Sequence, residues 1–154
     1  MIKAPKDEGD RARMVSRHSL SYILCAISEM FRAYDFDPLD LLIVHSVLNA
    51  NVVDIMRDED LDRRLASIHA VEPDEMKRGV SRAALSRFLN LPLETIRRRV
   101  NVLKKKGIIA EIEEGLIISE RNAFKFGNNH HLQTVNMHLV RKLLRDLKRA
   151  GLKM

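Results

Sequence analysis

The side chains best suited to chemistry in this chain form a cationic segment between residues 97 and 106. An arginine fork can bond guanine bidentately, and an asparagine amide can do the same to adenine. A lysine ammonium acts instead as a point charge that suits phosphates. The segment therefore predicts contact with nucleic acid. Its members are three arginines, one asparagine and three lysines: Arg97, Arg98, Arg99, Asn101, Lys104, Lys105 and Lys106.

Two short helices joined by a tight turn are predicted to position this segment, over residues 79–109. Ser81 is suited to cap the first helix, with its hydroxyl accepting a hydrogen bond from a free backbone N–H. Asn90 is one of the few non-glycine residues that tolerates a left-handed corner. Pro92 can restart a helix, as proline does in a first turn, and Gly107 ends it.

The second helix, about residues 92–106, has two different faces. Ile96, Val100 and Leu103 recur at i, i+4 and i+7 and predict a buried stripe. In the first helix, Leu85 and Phe88 are expected to share a buried face with Ala84. The opposite face of the second helix points outward and consists of Glu94, Thr95, Arg98, Asn101, Val102 and Lys105, flanked by Arg97 and Arg99.

Residues 108–119 predict a small β-hairpin, because two short isoleucine-rich stretches flank a turn at residues 113–115. Two helices followed by a hairpin resemble the winged helix-turn-helix of bacterial transcriptional regulators, and the resemblance covers about residues 79–119. The resemblance implies that the second helix enters the major groove of DNA. The predicted DNA-contacting residues are Ser81, Arg82, Leu93, Glu94, Thr95, Arg97, Arg98, Arg99, Asn101 and Lys105.

The hairpin departs from that pattern at its tip. A DNA-contacting wing usually offers arginine or lysine, whereas this one carries Glu111, Glu113 and Glu114, which phosphates would repel. We therefore expect little or no contact between the wing and DNA.

The charge distribution favours double-stranded DNA as the partner. Residues 78–106 hold nine cations against Glu94 alone, a net charge of +8. Aromatic residues make up only 5% of the chain, and the basic helix has none on which single-stranded bases could stack. The alternative is a winged helix used for protein association, in which the arginines meet an acidic partner. Residues 35–75 carry a net charge of −8, which either keeps non-specific DNA off other surfaces or is ordinary solvation.

The flanking segments predict a mostly α-helical protein with one small β-hairpin. Residues 1–15 are expected to be a flexible arm, residues 16–78 a helical region with an acidic connector, and residues 120–154 a C-terminal helical extension. An amphipathic helix from Leu20 should bury its apolar face. A second helix, from Leu39 to about Met56, should be the most buried, and a short helix is expected at residues 61–68. A C-terminal helix follows residues 127–129 and ends at Gly151.

The terminal amphipathic helices can be interpreted in two ways. In many small regulators that the chain resembles, such helices form a homodimer; intramolecular packing is the alternative. A small-molecule effector pocket between the N-terminal helices and the DNA-binding unit, with methionine walls, is a further expectation.

Catalysis, a cofactor and a bound metal have little support in the sequence. His131 and His138 lie two turns apart on a helix, and no cysteine or carboxylate cluster completes a metal site. His45 is expected to be a hydrogen-bonded core histidine and Cys25 a small buried hydrophobe. One cysteine cannot form an internal disulfide, and no stretch of about 18 apolar residues is present to span a membrane. The expected location is the cytoplasm, and the protein is not expected to be an enzyme.

Overall fold

The computed structural model describes residues 8–153, and this part of the chain is mostly helical with one small antiparallel sheet. The predicted combination of helices and a single hairpin is confirmed. The elements in chain order are α1 (Glu8–Ala33), α2 (Pro38–Asn51), α3 (Val53–Arg57), α4 (Glu59–Arg64), a 3₁₀ turn (Asp74–Met76), α5 (Arg82–Leu89), α6 (Leu93–Lys105), β1 (Ala110–Ile112), β2 (Gly115–Ile117) and α7 (His130–Arg149).

The chain forms two compact units. Among the described residues, one unit consists of residues 8–35 and 131–153, and the other is Phe36–His130. The first unit therefore contains α1 and α7, whereas α2, α3 and α4 belong with α5, α6 and the hairpin. The predicted N-terminal helical region, residues 16–78, includes parts of both units.

In the first unit, α1 starts earlier than expected. Residues 8–15, which belonged to the predicted arm, are helical and continuous with the rest of α1. Good helix formers such as Ala12 and Met14 fill this stretch, and no residue between Gly9 and Ala33 breaks the helix. Residues 1–7 of the predicted arm lie outside the described residues.

The pairing of α1 with α7 uses the more polar side of α1. The Tyr22 hydroxyl donates a hydrogen bond of 2.8 Å to Oδ1 of Asn136 on α7. Most of the apolar face that we expected to be buried is exposed: Leu24 is 58% exposed, and the same side of α1 carries Leu20, Ile23, Ile27 and Phe31, each at least 40% exposed. Tyr34, which we expected on the same face, lies just after the helix and is buried. Amphipathic periodicity showed where this face is, but not whether the same chain covers it.

In the second unit, α2 is the central helix. Asp37 caps it by accepting a hydrogen bond from the backbone N–H of Leu39 at 2.9 Å, and Pro38 occupies its first turn. Helix α2 contacts α5, α6 and β2. It buries Leu41, Ile43, Val44 and Val47, so the prediction of a strongly buried helix is confirmed.

The predicted single helix from residue 39 to about 56 is interrupted. Helix α2 ends at Asn51, and a short α3 follows after Val52, which is not in a helical conformation. Asn51 is the last residue of α2, and its side chain bonds backbone groups of two other segments. Its Nδ2 donates to the carbonyl oxygens of Arg78 and Leu116, and its Oδ1 accepts from the N–H of Ile118. The short helix expected at residues 61–68 lies earlier, at Glu59–Arg64.

The hairpin pairs Ala110 with Ile117 and Glu111 with Leu116. Gly115 follows its two-residue turn with a φ of +130°, a conformation that L side chains rarely adopt. Val80, just before α5, forms an antiparallel bridge with Leu116. The hairpin is thereby attached to the start of α5.

Candidate nucleic-acid interface

Two predicted features of α5 and of the turn that follows it are confirmed: the Ser81 cap and the left-handed Asn90. The Ser81 hydroxyl accepts a hydrogen bond of 3.1 Å from the N–H of Ala84 and caps α5. Asn90 adopts the left-handed conformation, with φ 53° and ψ 45°. Across the turn, the Ser86 hydroxyl donates to the Leu91 carbonyl at 2.6 Å. The left-handed Asn90 and the Ser86 bond set the direction in which α6 leaves the corner.

Helix α6 is amphipathic in the register expected. Ile96, Val100 and Leu103 are each 0% exposed, so the predicted buried stripe is confirmed. Pro92 is the N-cap residue, one position before the helix begins at Leu93, and Gly107 ends it with a φ of +71°. Because one face is fixed in the core, the opposite face points outward.

The outward face of α6 carries a line of polar side chains that we call the α6 stripe: Arg98, Asn101 and Lys105. They recur at i, i+3 and i+7, and all three are exposed. Among residues 8–153, neither Arg98 nor Lys105 has a carboxylate within ion-pair distance. The predicted contact residue Thr95 is half-buried beside the stripe, and Val102 is 44% exposed. The stripe combines a guanidinium, an amide and an ammonium, which are groups that can bond base edges and phosphates.

Arg99, predicted to contact DNA, is instead bound within the second unit. Its Nη1 lies 2.8 Å from Oδ1 of Asp37 and 3.0 Å from Oδ1 of Asp40, at the start of α2. Bonding to Asp40 and the negative charge of both aspartates raise the pKa of Arg99 above its ordinary value. Arg99 thus holds α6 against α2, a role that removes it from the exposed face.

Arg82, also predicted to contact DNA, forms an ion pair with a carboxylate of the hairpin. Its two Nη atoms donate to the two carboxylate oxygens of Glu111 at 2.6 and 3.2 Å, and Nζ of Lys104 donates to the same carboxylate. Hydrogen bonds from Arg82 and then Lys104 lower the pKa of Glu111 from 4.5 to about 2. The same bond raises the pKa of Arg82.

The other predicted contact residues have ordinary surface positions. Arg97 and Glu94 form a loose pair at 3.7 Å on the solvent side of α6. Leu93 is half-buried at the first position of α6, and Ser81 is exposed while it caps α5. Glu113 and Glu114 are exposed at the hairpin turn.

Phe88 was expected on the buried face of α5, and that expectation is wrong. Its side chain is 73% exposed, whereas Leu85 on the same helix is 2% exposed. Phe88 lines an open groove of about 210 Å³ between α2 and α5, together with Ser46 and Ala84. Because this groove is open, the Phe88 ring stays accessible although it lies on the apolar side of α5.

The predictions for His45 and Cys25 had different outcomes. His45 is half-buried, and its Nδ1 lies 2.7 Å from the Leu41 carbonyl oxygen, as expected for a hydrogen-bonded core histidine. Burial lowers the pKa of His45, partly offset by that hydrogen bond. Cys25, expected to be buried, is exposed on α1.

Within the described residues, no group of three or more His, Cys, Asp or Glu side chains could hold a metal, and no helix is long and apolar enough to cross a bilayer.

Two structural roles were missed from the sequence. Asn51 and Glu111 each join elements that are distant in the chain. The sequence did not single out Asn51, because α2 also contains other polar residues, among them Ser46 and Asn49. The negative charge of Glu111 did not indicate that Arg82 and Lys104 would be its partners.

Comparison of the chain with models of known protein families, with curated protein sequences and with solved structures finds no match.

Proposed function

We propose that α5, α6 and the hairpin form a winged helix-turn-helix that binds duplex DNA in a sequence-specific manner as a transcriptional regulator. The observation that carries the proposal is the α6 stripe. It lies opposite a fully buried apolar stripe on the same helix, so the backbone of α6 is held while Arg98, Asn101 and Lys105 remain accessible.

The chemistry of the stripe favours DNA reading over simple solvation. Arg98 can bond guanine with two N–H groups, and Asn101 can bond adenine with its amide. Lys105 follows one turn later and suits a phosphate. Val102 offers an apolar contact of the kind that thymine methyl groups make. Within the described residues, no acidic group neutralises Arg98 or Lys105.

The proposal is tested by incubating the full chain with fragmented genomic DNA of its source organism at low and near-physiological salt. Sequencing of the retained fragments should reveal enrichment of a short site at the higher salt. Retention that vanishes with salt indicates phosphate attraction only and contradicts sequence-specific binding. Absence of binding at both salts contradicts DNA binding and favours the alternative, an acidic protein partner.

Substitutions test whether the α6 stripe contacts the enriched DNA site. Arg98→Ala should weaken binding to the enriched site by about 1 to 3 kcal/mol, or roughly 5- to 150-fold, because a bidentate base contact is lost. Arg141→Ala is the matched control: it removes the same charge from an exposed position on α7. Equal effects of the two variants would contradict base reading by Arg98.

We further propose that the protein acts as a homodimer formed through the first unit. Soluble monomers rarely expose a contiguous apolar area larger than a few hundred Å², and the exposed apolar face of α1 contains five large side chains. Two copies of α6 could then engage successive major grooves about 34 Å apart, which predicts an inverted repeat in the enriched site.

The oligomeric state tests this second proposal. Leu24→Glu should convert the dimer to a monomer in sedimentation experiments, because it puts a charge in the exposed apolar face. Ala12→Glu adds the same charge to an exposed position earlier on α1 and should leave the dimer intact. A monomeric wild type would refute the proposal.

A further inference from the structure

The carboxylate of Glu111 joins cations from two helices. Arg82 is the first residue of α5, Lys104 lies in the last turn of α6, and Glu111 is the middle residue of β1. Arg82 donates to both oxygens of the carboxylate, and Lys104 donates to one of them. We call these three residues the Glu111 bridge.

The geometry of the bridge is the one by which arginine binds a phosphate. A guanidinium fork bonds carboxylate and phosphate in the same two-point manner. With its pKa near 2, Glu111 is ionised at neutral pH. The side chains of Arg82, Glu111 and Lys104 are 25%, 36% and 35% exposed, so an external phosphate could reach the bridge and compete with the carboxylate.

We infer that Glu111 determines specificity by acting as an internal substitute for a DNA phosphate. While its carboxylate occupies Arg82 and Lys104, these two cations add little to the attraction for DNA of arbitrary sequence. This inference rests on the proposed DNA-binding function. It gives the acidic hairpin a specific role: Glu111 restrains binding that does not depend on sequence and leaves the α6 stripe accessible.

Salt dependence separates this role from general repulsion. Each phosphate neutralised by a protein cation releases counterions and adds about −0.9 to the slope of log K against log salt. Cations already bonded to Glu111 contribute little to that slope. Glu113, at the hairpin turn, is exposed and forms no ion pair with the described residues, so Glu113→Gln removes the same charge without releasing a cation.

The experiment measures binding of the full chain to a mixed-sequence duplex that lacks the enriched site, over a series of salt concentrations. Glu111→Gln should steepen the slope by about 0.9 to 1.8, which corresponds to one or two additional phosphates. The ratio of affinities at about 50 and 200 mM salt should then grow by roughly 3- to 12-fold. Glu113→Gln should keep the wild-type slope.

Arg82 supplies a second test that does not require Glu111 to be replaced. In the wild-type background, Arg82→Gln should leave the slope unchanged, whereas Arg98→Gln should reduce it by about 0.9. Combined with Glu111→Gln, the Arg82→Gln change should remove at least half of the gain. Thermal unfolding of each variant confirms that the compared proteins are folded.

The outcomes distinguish this inference from the function on which it rests. Equal slopes for Glu111→Gln and Glu113→Gln would overturn the inference while DNA binding by the wild type stands. A fall of about 0.9 for Arg82→Gln alone would also overturn it, because Arg82 would then contact phosphate in the wild type. If the wild type binds no duplex at any salt, both the proposed function and this inference are refuted.

Discussion

Replacing Asn51 with alanine is predicted to lower the free energy of unfolding by about 2 to 4 kcal/mol. Asn51 is 1% exposed and makes three hydrogen bonds to backbone groups of two other segments. The net value of such a bond is about 1 kcal/mol, and a buried group left without a partner costs about 1 to 3 kcal/mol.

The three backbone groups would not be affected equally. The Ile118 N–H is buried at 2.9 Å from Oδ1 and would lose this partner. The Arg78 carbonyl, at 2.8 Å from Nδ2, is only partly buried, so water can replace the amide there. The Leu116 carbonyl would keep the hydrogen bond that it accepts from the N–H of Val80. The largest part of the loss should therefore arise at Ile118.

Urea unfolding of the full chain, followed by helical circular dichroism, measures this loss. Asn49→Ala is the matched control, because Asn49 is exposed on the same helix and its replacement should change stability by at most about 0.5 kcal/mol. Asn51→Asp preserves the shape but places an oxygen against two carbonyl oxygens, so it should destabilise at least as much as alanine. The reasoning is refuted if Asn51→Ala unfolds at the same urea concentration as Asn49→Ala.

Two further predictions concern the hairpin. Gly115→Ala should destabilise the protein by about 1 to 3 kcal/mol, because a Cβ there would lie 2.8 Å from the Val80 carbonyl carbon at a φ of +130°. Gly107→Ala should cost less, since its Cβ would meet nothing closer than 3.5 Å; equal losses in denaturant titrations would contradict the clash. The lowered pKa of Glu111 adds stability that is present above pH 4.5 and is lost as the pH falls towards about 2. Glu111→Gln should flatten the stability profile in that window, by a small amount because solvent screens the exposed pair; a profile identical to that of Glu113→Gln would refute this.

The parts of the fold that the sequence predicted depend on local interactions. The Ser81 cap, the left-handed Asn90 and the buried face of α6 are each set by residues within a few positions of one another. Helix caps and helical periodicity act over the same short range, so they can be read without knowing the fold. The hairpin was predictable for the same reason.

The parts that the sequence did not predict depend on partners far away in the chain. Arg99 bonds Asp37, 62 residues earlier, and Arg82 bonds Glu111, 29 residues later. In both cases the sign of the charge was evident from the sequence, but the partner of the charged group was not. The predictions that Phe88 and the apolar face of α1 would be buried failed for a related reason. Periodicity marks a face as apolar, whereas its burial depends on what packs against it.

Ion pairs leave fewer cations available in residues 78–106 than the sequence suggests. Of the nine cations in residues 78–106, five have carboxylate partners within 4 Å. Among the described residues, the other four form no ion pair: Arg87, Arg98, Lys105 and Lys106. Under the proposed function, four phosphate contacts per protomer predict a slope of log K against log salt of about −3.6, whereas nine would predict about −8.

Titrating a mixed-sequence duplex with the wild-type chain at several salt concentrations distinguishes these values. A slope near −8 per protomer would show that the ion pairs open on DNA and that the paired cations also contact phosphates. A slope near −4 would indicate that the attraction for DNA comes from the set of four cations that form no ion pair with the described residues. The α6 stripe contributes Arg98 and Lys105 to that set, so it would supply half of the attraction for phosphates as well as the groups that read bases.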